Sequence, residues 1–182
     1  MIYRPQEDIP ETHEVKRLFW TLAERGMRQL SPGDQQILQY LADLLTEFVH
    51  VRNLKRIADD SGQRLEYFAE MLGETMRQVT PEVRRAHFKH IGDVALFELG
   101  MFPEQLTYGR RLVSPSYYLA QGRRSYFLAA ESESDRETVV LRKLSDQFEM
   151  CVSTLNWVRT YTRDSFYQYM LREFDVNGSF EF

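Results

Sequence analysis

The sequence predicts an all-α protein: a single-domain bundle, residues 1–182, of roughly six or seven helices around one buried central helix at about 81–100. Three observations carry this. Apolar residues recur three and four apart along most of the chain, the period of a helix face. Ser or Thr followed by Pro occurs at Ser31-Pro32, Thr80-Pro81 and Ser114-Pro115. Each reads as a helix start, since the hydroxyl can cap a free backbone N–H and Pro has none to lose in the first turn. No strand-type alternation of useful length occurs.

Residues 1–10 contain Pro5 and Pro10 and no periodicity, so they read as an extended arm. From Glu11 to about Leu30, Val15, Leu18, Phe19, Leu22, Met27 and Leu30 follow one helical face. Ser31-Pro32-Gly33-Asp34 restarts the chain, with Ser31 as cap and Asp34 in the capping-box place. The second helix then carries Ile37, Leu38, Tyr40, Leu41, Leu44, Leu45, Phe48, Val49 and Val51. Asp59-Asp60-Ser61-Gly62 is a surface turn. Gln63 to about Val79 resumes helical spacing through Leu65, Phe68, Leu72 and Met76.

The central helix starts at Thr80-Pro81-Glu82, where the acid complements the positive end of the helix dipole. From Ile91 onward Val94, Ala95, Leu96, Phe97, Leu99, Met101 and Phe102 cover nearly every side, as in a helix enclosed by others. Gly100 and Pro103 end it. Between Pro115 and about Ala130, the row Tyr118, Gly122, Ser125 and Ala129 predicts a shallow face, to be met by Gly92 and Ala95 of the central helix. Beyond the acidic turn 131–135, Leu141, Leu144, Phe148, Cys151, Leu155 and Val158 form a seam with no Gly or Pro until Gly178. Such a seam is expected to hold more apolar surface than one chain covers, which predicts a homo-oligomer. Residues 175–182 read as a tail, with Phe180 and Phe182 expected to dock on the body or on a second copy.

Hydrophobic residues at 43% and charged residues at 27% are those of a water-soluble globular protein, and 13% aromatics supply large side chains for helix junctions. A net charge of -4 argues against a general nucleic-acid binder, although it leaves room for a local basic site. The single Cys151 rules out an internal disulfide framework. The amino terminus lacks a signal-like pattern, and no apolar run approaches the ~20 residues that cross a bilayer. The expectation is a cytoplasmic protein without membrane contact.

Two constellations could carry chemistry. Glu47 and His50 stand three apart on the second helix, and His90 and Asp93 three apart on the central one, with His87 one turn earlier. Each pair offers a carboxylate and an imidazole from one helix face, a donor set that suits iron, manganese or zinc. Only one Glu-x-x-His motif is present, whereas a di-iron bundle uses two plus two further glutamates. The bland alternative is that the histidines hydrogen-bond in helix junctions and Asp93 pairs with an arginine, Arg123 or Arg124 being the nearest candidates. The second constellation is basic. No acid occurs between Glu104 and Glu131, while Arg110, Arg111, Arg123 and Arg124 stand among Tyr108, Tyr117, Tyr118 and Tyr126. Guanidinium groups with aromatic rings suit an anion or a nucleotide. The alternative there is that these arginines neutralise acids of the same molecule.

Around His90-Ile91-Gly92-Asp93, Leu96-Phe97 and Gly100-x-Phe102-Pro103-Glu104, the chain resembles a group of uncharacterised bacterial all-helical proteins. The likeness covers the central helix and the Tyr-rich helix after it. It implies a bacterial, cytoplasmic origin and no activity. The readings, in order, are a helical interaction or assembly protein with a protein partner or a second copy, a metal-dependent helical-bundle enzyme, and an anion or nucleic-acid binding module using 108–126.

Overall fold

The sequence's most apolar stretch becomes the helix on which the others are laid. A computed structural model describes residues 14–30, 33–48, 51–59, 61–65, 68–108, 114–131 and 136–162. Their helices are α1 (Glu14–Leu30), α2 (Gln35–Phe48), α3 (Phe68–Arg77), α4 (Pro81–Met101), α5 (Pro103–Tyr108), α6 (Pro115–Ala130), α7 (Arg136–Asp146) and α8 (Phe148–Thr162). A short 3-10 turn, Val51–Leu54, follows α2. With α5 counted as a single short turn of helix, seven longer helices make the predicted all-α bundle. The only strand-like pairing among the described residues is one antiparallel bridge, Ala58 with Arg64. None of the described helices is long and apolar enough to cross a membrane.

From His90 to Phe97 every residue of α4 is buried. α6 and α8 pack along it, α3 covers part of its N-terminal half, and α1 lies against both α2 and α8. α4 packs most extensively against α6, and the contact uses small residues on both sides. A Cβ on Gly92 would stand 2.7 Å from the Tyr126 ring, and one on Gly122 would stand 2.6 Å from Ala95 Cβ and from the Phe148 ring. These are shorter than carbon atoms tolerate, so the two backbones can approach this closely only because both positions are glycine.

Helix starts follow local chemistry, with one shift. Ser114 caps α6, its hydroxyl accepting from the Tyr117 N–H, and Pro115 takes the first turn. Thr80 precedes α4 in extended conformation, with Pro81 at the first turn and no side-chain cap bond. α2 begins at Gln35, with Asp34 as the cap: its Oδ1 accepts from the N–H of Gln36 at 2.9 Å. A carboxylate beside the helix's positive end outcompetes the capping-box place assigned to Asp34 from sequence. Lys143 of α7 reaches the same carboxylate at 2.6 Å and holds it below the usual carboxylate range.

Two expectations are corrected. The helix expected from Gln63 starts only at Phe68. Asp59 Oδ1 instead accepts from the N–H groups of Ser61 and Gln63, Gly62 takes φ +84°, and Leu65 N–H bonds Ile57 C=O at 2.8 Å. That tight turn satisfies the backbone groups a helix would have used. The seam from Leu141 to Val158 does not outrun its own chain. Its six apolar residues, Leu141, Leu144, Phe148, Cys151, Leu155 and Val158, are each at most 1% exposed within one copy. The seam therefore supplies no surface for an oligomer. It breaks only at Gln147, whose N–H bonds Lys143 C=O while its own C=O accepts from Cys151, so the helical ladder continues on both sides. The arm 1–10 and the tail 175–182 with Phe180 and Phe182 lie outside the described residues.

Candidate functional site

α4 carries its ionisable residues into the protein on two different faces. Arg85, Lys89 and Asp93 are spaced by four and share one row. Arg85 donates to the Ala129 C=O at 3.1 Å, one of the last carbonyls of α6, and to Thr138 Oγ1 at 3.3 Å on α7. Both Arg85 and Lys89 pair with Glu137, at 3.3 and 3.1 Å. The Lys89 ammonium also lies 5.7 Å from the centre of the Tyr40 ring.

Asp93, one turn further, is the buried end of this row. Its Oδ1 accepts from Tyr40 Oη at 2.5 Å and from Tyr126 Oη at 2.8 Å. Burial pushes the Asp93 carboxyl up, opposed first by Lys89 and then by the two hydroxyls. Burial and the neighbouring Asp93 push both tyrosines well above their ordinary range, so they stay protonated donors. The arginine pairing expected from sequence is replaced by a phenol–carboxylate–phenol cluster joining α2, α4 and α6. Arg123 and Arg124 instead point to solvent. Arg124 lies across the helix from Asp93's partner Tyr126, and Arg123, three residues before Tyr126, stands at the edge of that side and is exposed.

His87 and His90 occupy the other face. His90 Nε2 donates to the Leu54 C=O at 3.2 Å, which leaves the proton off Nδ1, and that nitrogen is buried without a partner, as is Nδ1 of His87. Burial, helped by the Arg56 charge, pushes His90 down to about 3, so the ring is neutral. Phe48 stands edge-on to it at 6.0 Å. Burial also lowers His87, against the opposing charge of Glu74. Glu47, buried at the end of α2, pairs with Arg56.

The metal set is thus divided. Glu47 pairs with Arg56, His90 Nε2 with the Leu54 carbonyl, and Asp93 with two tyrosines. His50 lies outside the described residues. Among those described, no three His, Cys, Asp or Glu side chains are grouped to hold a metal ion. Cys151 is a buried thiol that burial pushes up to about 12, so it stays protonated in the core.

The basic set is divided too, though half of it converges. Arg110 and Arg111 lie outside the described residues. Tyr118 is a core residue, 3% exposed, with its ring 4.5 Å from that of Phe68. Tyr126 is fully enclosed. The outer side of α6 gathers the rest: Tyr117 and Phe127, 37% and 45% exposed, with Ala120, Arg123 and Arg124 between them, all exposed. Ten residues of helix separate the two rings by about 15 Å along the axis, and all five positions fall within about 120° of arc. Neither arginine has a side-chain partner among the described residues, so neither pairs with Asp93, Glu98, Glu131 or Glu137; Glu133 and Asp135, part of the acidic segment also weighed as a partner, lie outside the described residues. Tyr117 is held edge-on against Phe68 at 6.2 Å, and the Arg123 C=O accepts from Ser145 Oγ at 3.0 Å. The face is therefore presented on a fixed support.

Sequence reasoning missed Tyr40 as Asp93's partner and Phe127 as part of this face. The first has no local signal, because 53 residues separate the pair. The second was legible, since Phe127 lies opposite the core row Tyr118, Gly122, Ser125 and Ala129. No family model, curated protein or solved structure matches the chain.

Proposed function

We propose that this protein is a helical interaction or assembly protein that engages a protein partner through the outer face of α6. One observation carries the reading: two half-exposed aromatic rings flank two exposed arginines on a helix whose opposite face is locked into α4. Aromatic and arginine side chains are the residues that most often anchor protein interfaces. A rigid support lowers the cost of ordering them on binding.

The test is site-specific photocrosslinking in cells of the source organism, with the reactive residue at Ala120 and, as control, at exposed Thr21 on α1. A protein adduct specific to position 120 is expected. Once identified, that protein should bind the purified full chain and lose at least about tenfold in affinity on Phe127→Ala combined with Arg124→Ala. Adducts that do not differ between the two positions, or a partner indifferent to both substitutions, would remove the reading.

A further inference from the structure

We infer that the occupant of the α6 face is an acidic, apolar-studded protein segment; this rests on the interaction reading above and specifies its partner. The argument is charge complementarity over a known length. From residue 105 to residue 130 the chain has no Asp or Glu, although the whole chain carries -4. α6 itself thus carries arginines and no acid, on a chain of net charge -4. Arg123 and Arg124 stand at the centre of the face, and the first acid on the helix, exposed Glu131, comes one turn beyond Phe127.

A guanidinium finds its best partner in a carboxylate or phosphate, which it meets with two parallel hydrogen bonds. Two considerations choose carboxylates carried by a peptide. First, about 15 Å of helix offers two cations, whereas a nucleic-acid strand of that length presents several phosphates and favours a denser positive field. Second, Tyr117 is held edge-on by Phe68 and the helix leaves Phe127 ten residues away, so the rings sit at the two ends of the face and not as a continuous stacking platform. Two separated apolar anchors with charges between them fit a segment that supplies apolar side chains at its ends and carboxylates in the middle. About ten residues in a helix, or five in an extended strand, span that distance.

Selection from a random peptide library against the immobilised full chain tests this, with counter-selection on a variant carrying Arg123→Glu, Arg124→Glu and Phe127→Ala. The three side chains are exposed, so the variant should fold, and an unchanged melting curve confirms it. Enriched peptides should carry an excess of Asp and Glu between apolar residues. Their binding should weaken at least about tenfold in the variant and should weaken further with salt. Enrichment without excess acid, or no enrichment that depends on the face, overturns the inference. A random single-stranded oligonucleotide pool run beside it overturns the inference if it is retained at physiological salt and lost in the variant. If crosslinks from position 120 persist while acidic peptides fail, the partner class is wrong and the interaction reading stands. If both fail, both are removed.

Discussion

Tyr126 lies on Gly92 and bonds Asp93: its ring fills the space a Cβ at position 92 would need, 2.7 Å away, and its hydroxyl donates to the neighbouring carboxylate at 2.8 Å. One side chain of α6 thus reads two consecutive residues of α4. The glycine sets the distance between the helices, and the hydrogen bond sets their register.

Removing the acceptor should be costly. Asp93→Ala leaves the Tyr40 and Tyr126 hydroxyls buried without a partner, a loss of about 2 to 5 kcal/mol by denaturant unfolding. Asp93→Asn keeps Oδ1, the atom both hydroxyls use, and should cost less. Because burial raises the Asp93 pKa above its unfolded value, this group favours folding most at low pH, and that contribution is lost as pH rises through the folded value. The gap between wild type and Asp93→Asn should therefore depend on pH. A flat difference from acidic to neutral pH would show that Asp93 titrates normally. Arg123→Ala and Arg124→Ala should each leave stability within about 0.5 kcal/mol.

Glycine substitutions should separate by what faces them. Gly92→Ala and Gly122→Ala force the α4 and α6 backbones apart and should each cost about 1 to 3 kcal/mol. Gly73 on α3 has nothing within 4 Å, and Gly73→Ala should stabilise by about 0.5 to 1 kcal/mol through helix propensity alone. Equal effects at the three positions, read as midpoint shifts in urea, would contradict the packing.

His90 gives an opposite pH dependence. Its folded pKa of about 3 lies below the ordinary 6.5, so its contribution is present above 6.5 and lost as pH falls toward 3. The slope reaches at most about 1.4 kcal/mol per pH unit in that window. His90→Gln retains a donor for the Leu54 carbonyl and cannot titrate, so it should flatten this limb. An unchanged limb in the variant would assign the acid sensitivity to other groups.

The α2 cap links distant parts of the chain. Asp34→Ala removes both the cap of α2 and the Lys143 contact and should cost about 1 to 2 kcal/mol. Lys143→Ala should cost less, since the cap survives it. Thermal unfolding of the two single variants and the double variant measures the coupling, and strict additivity would mean that the ion pair contributes nothing.

Spacing and caps in the sequence place most of the helices and the core, with α3 starting at Phe68 and not at Gln63. The Ser114-Pro115 start, the enclosed stretch from His90 to Phe97, the seam from Leu141 to Val158 and the meeting of Gly92 and Ala95 with the Gly122 face all follow from spacing and local chemistry, which act within a few residues. Tertiary structure alone decided the partners. Asp93 could have been a metal ligand or an arginine partner from its sequence, and it became the acceptor of two tyrosines because α2 and α6 bring Tyr40 and Tyr126 to it across 53 and 33 residues. Glu47 pairs with Arg56 and His90 with the Leu54 carbonyl, while Asp93, three residues on, bonds the two tyrosines, because neighbouring positions on one helix can still meet different elements. Here α4 is enclosed by several helices, so its polar residues are divided among them: Arg85 and Lys89 meet Glu137 of α7, His90 the Leu54 carbonyl, and Asp93 tyrosines of α2 and α6.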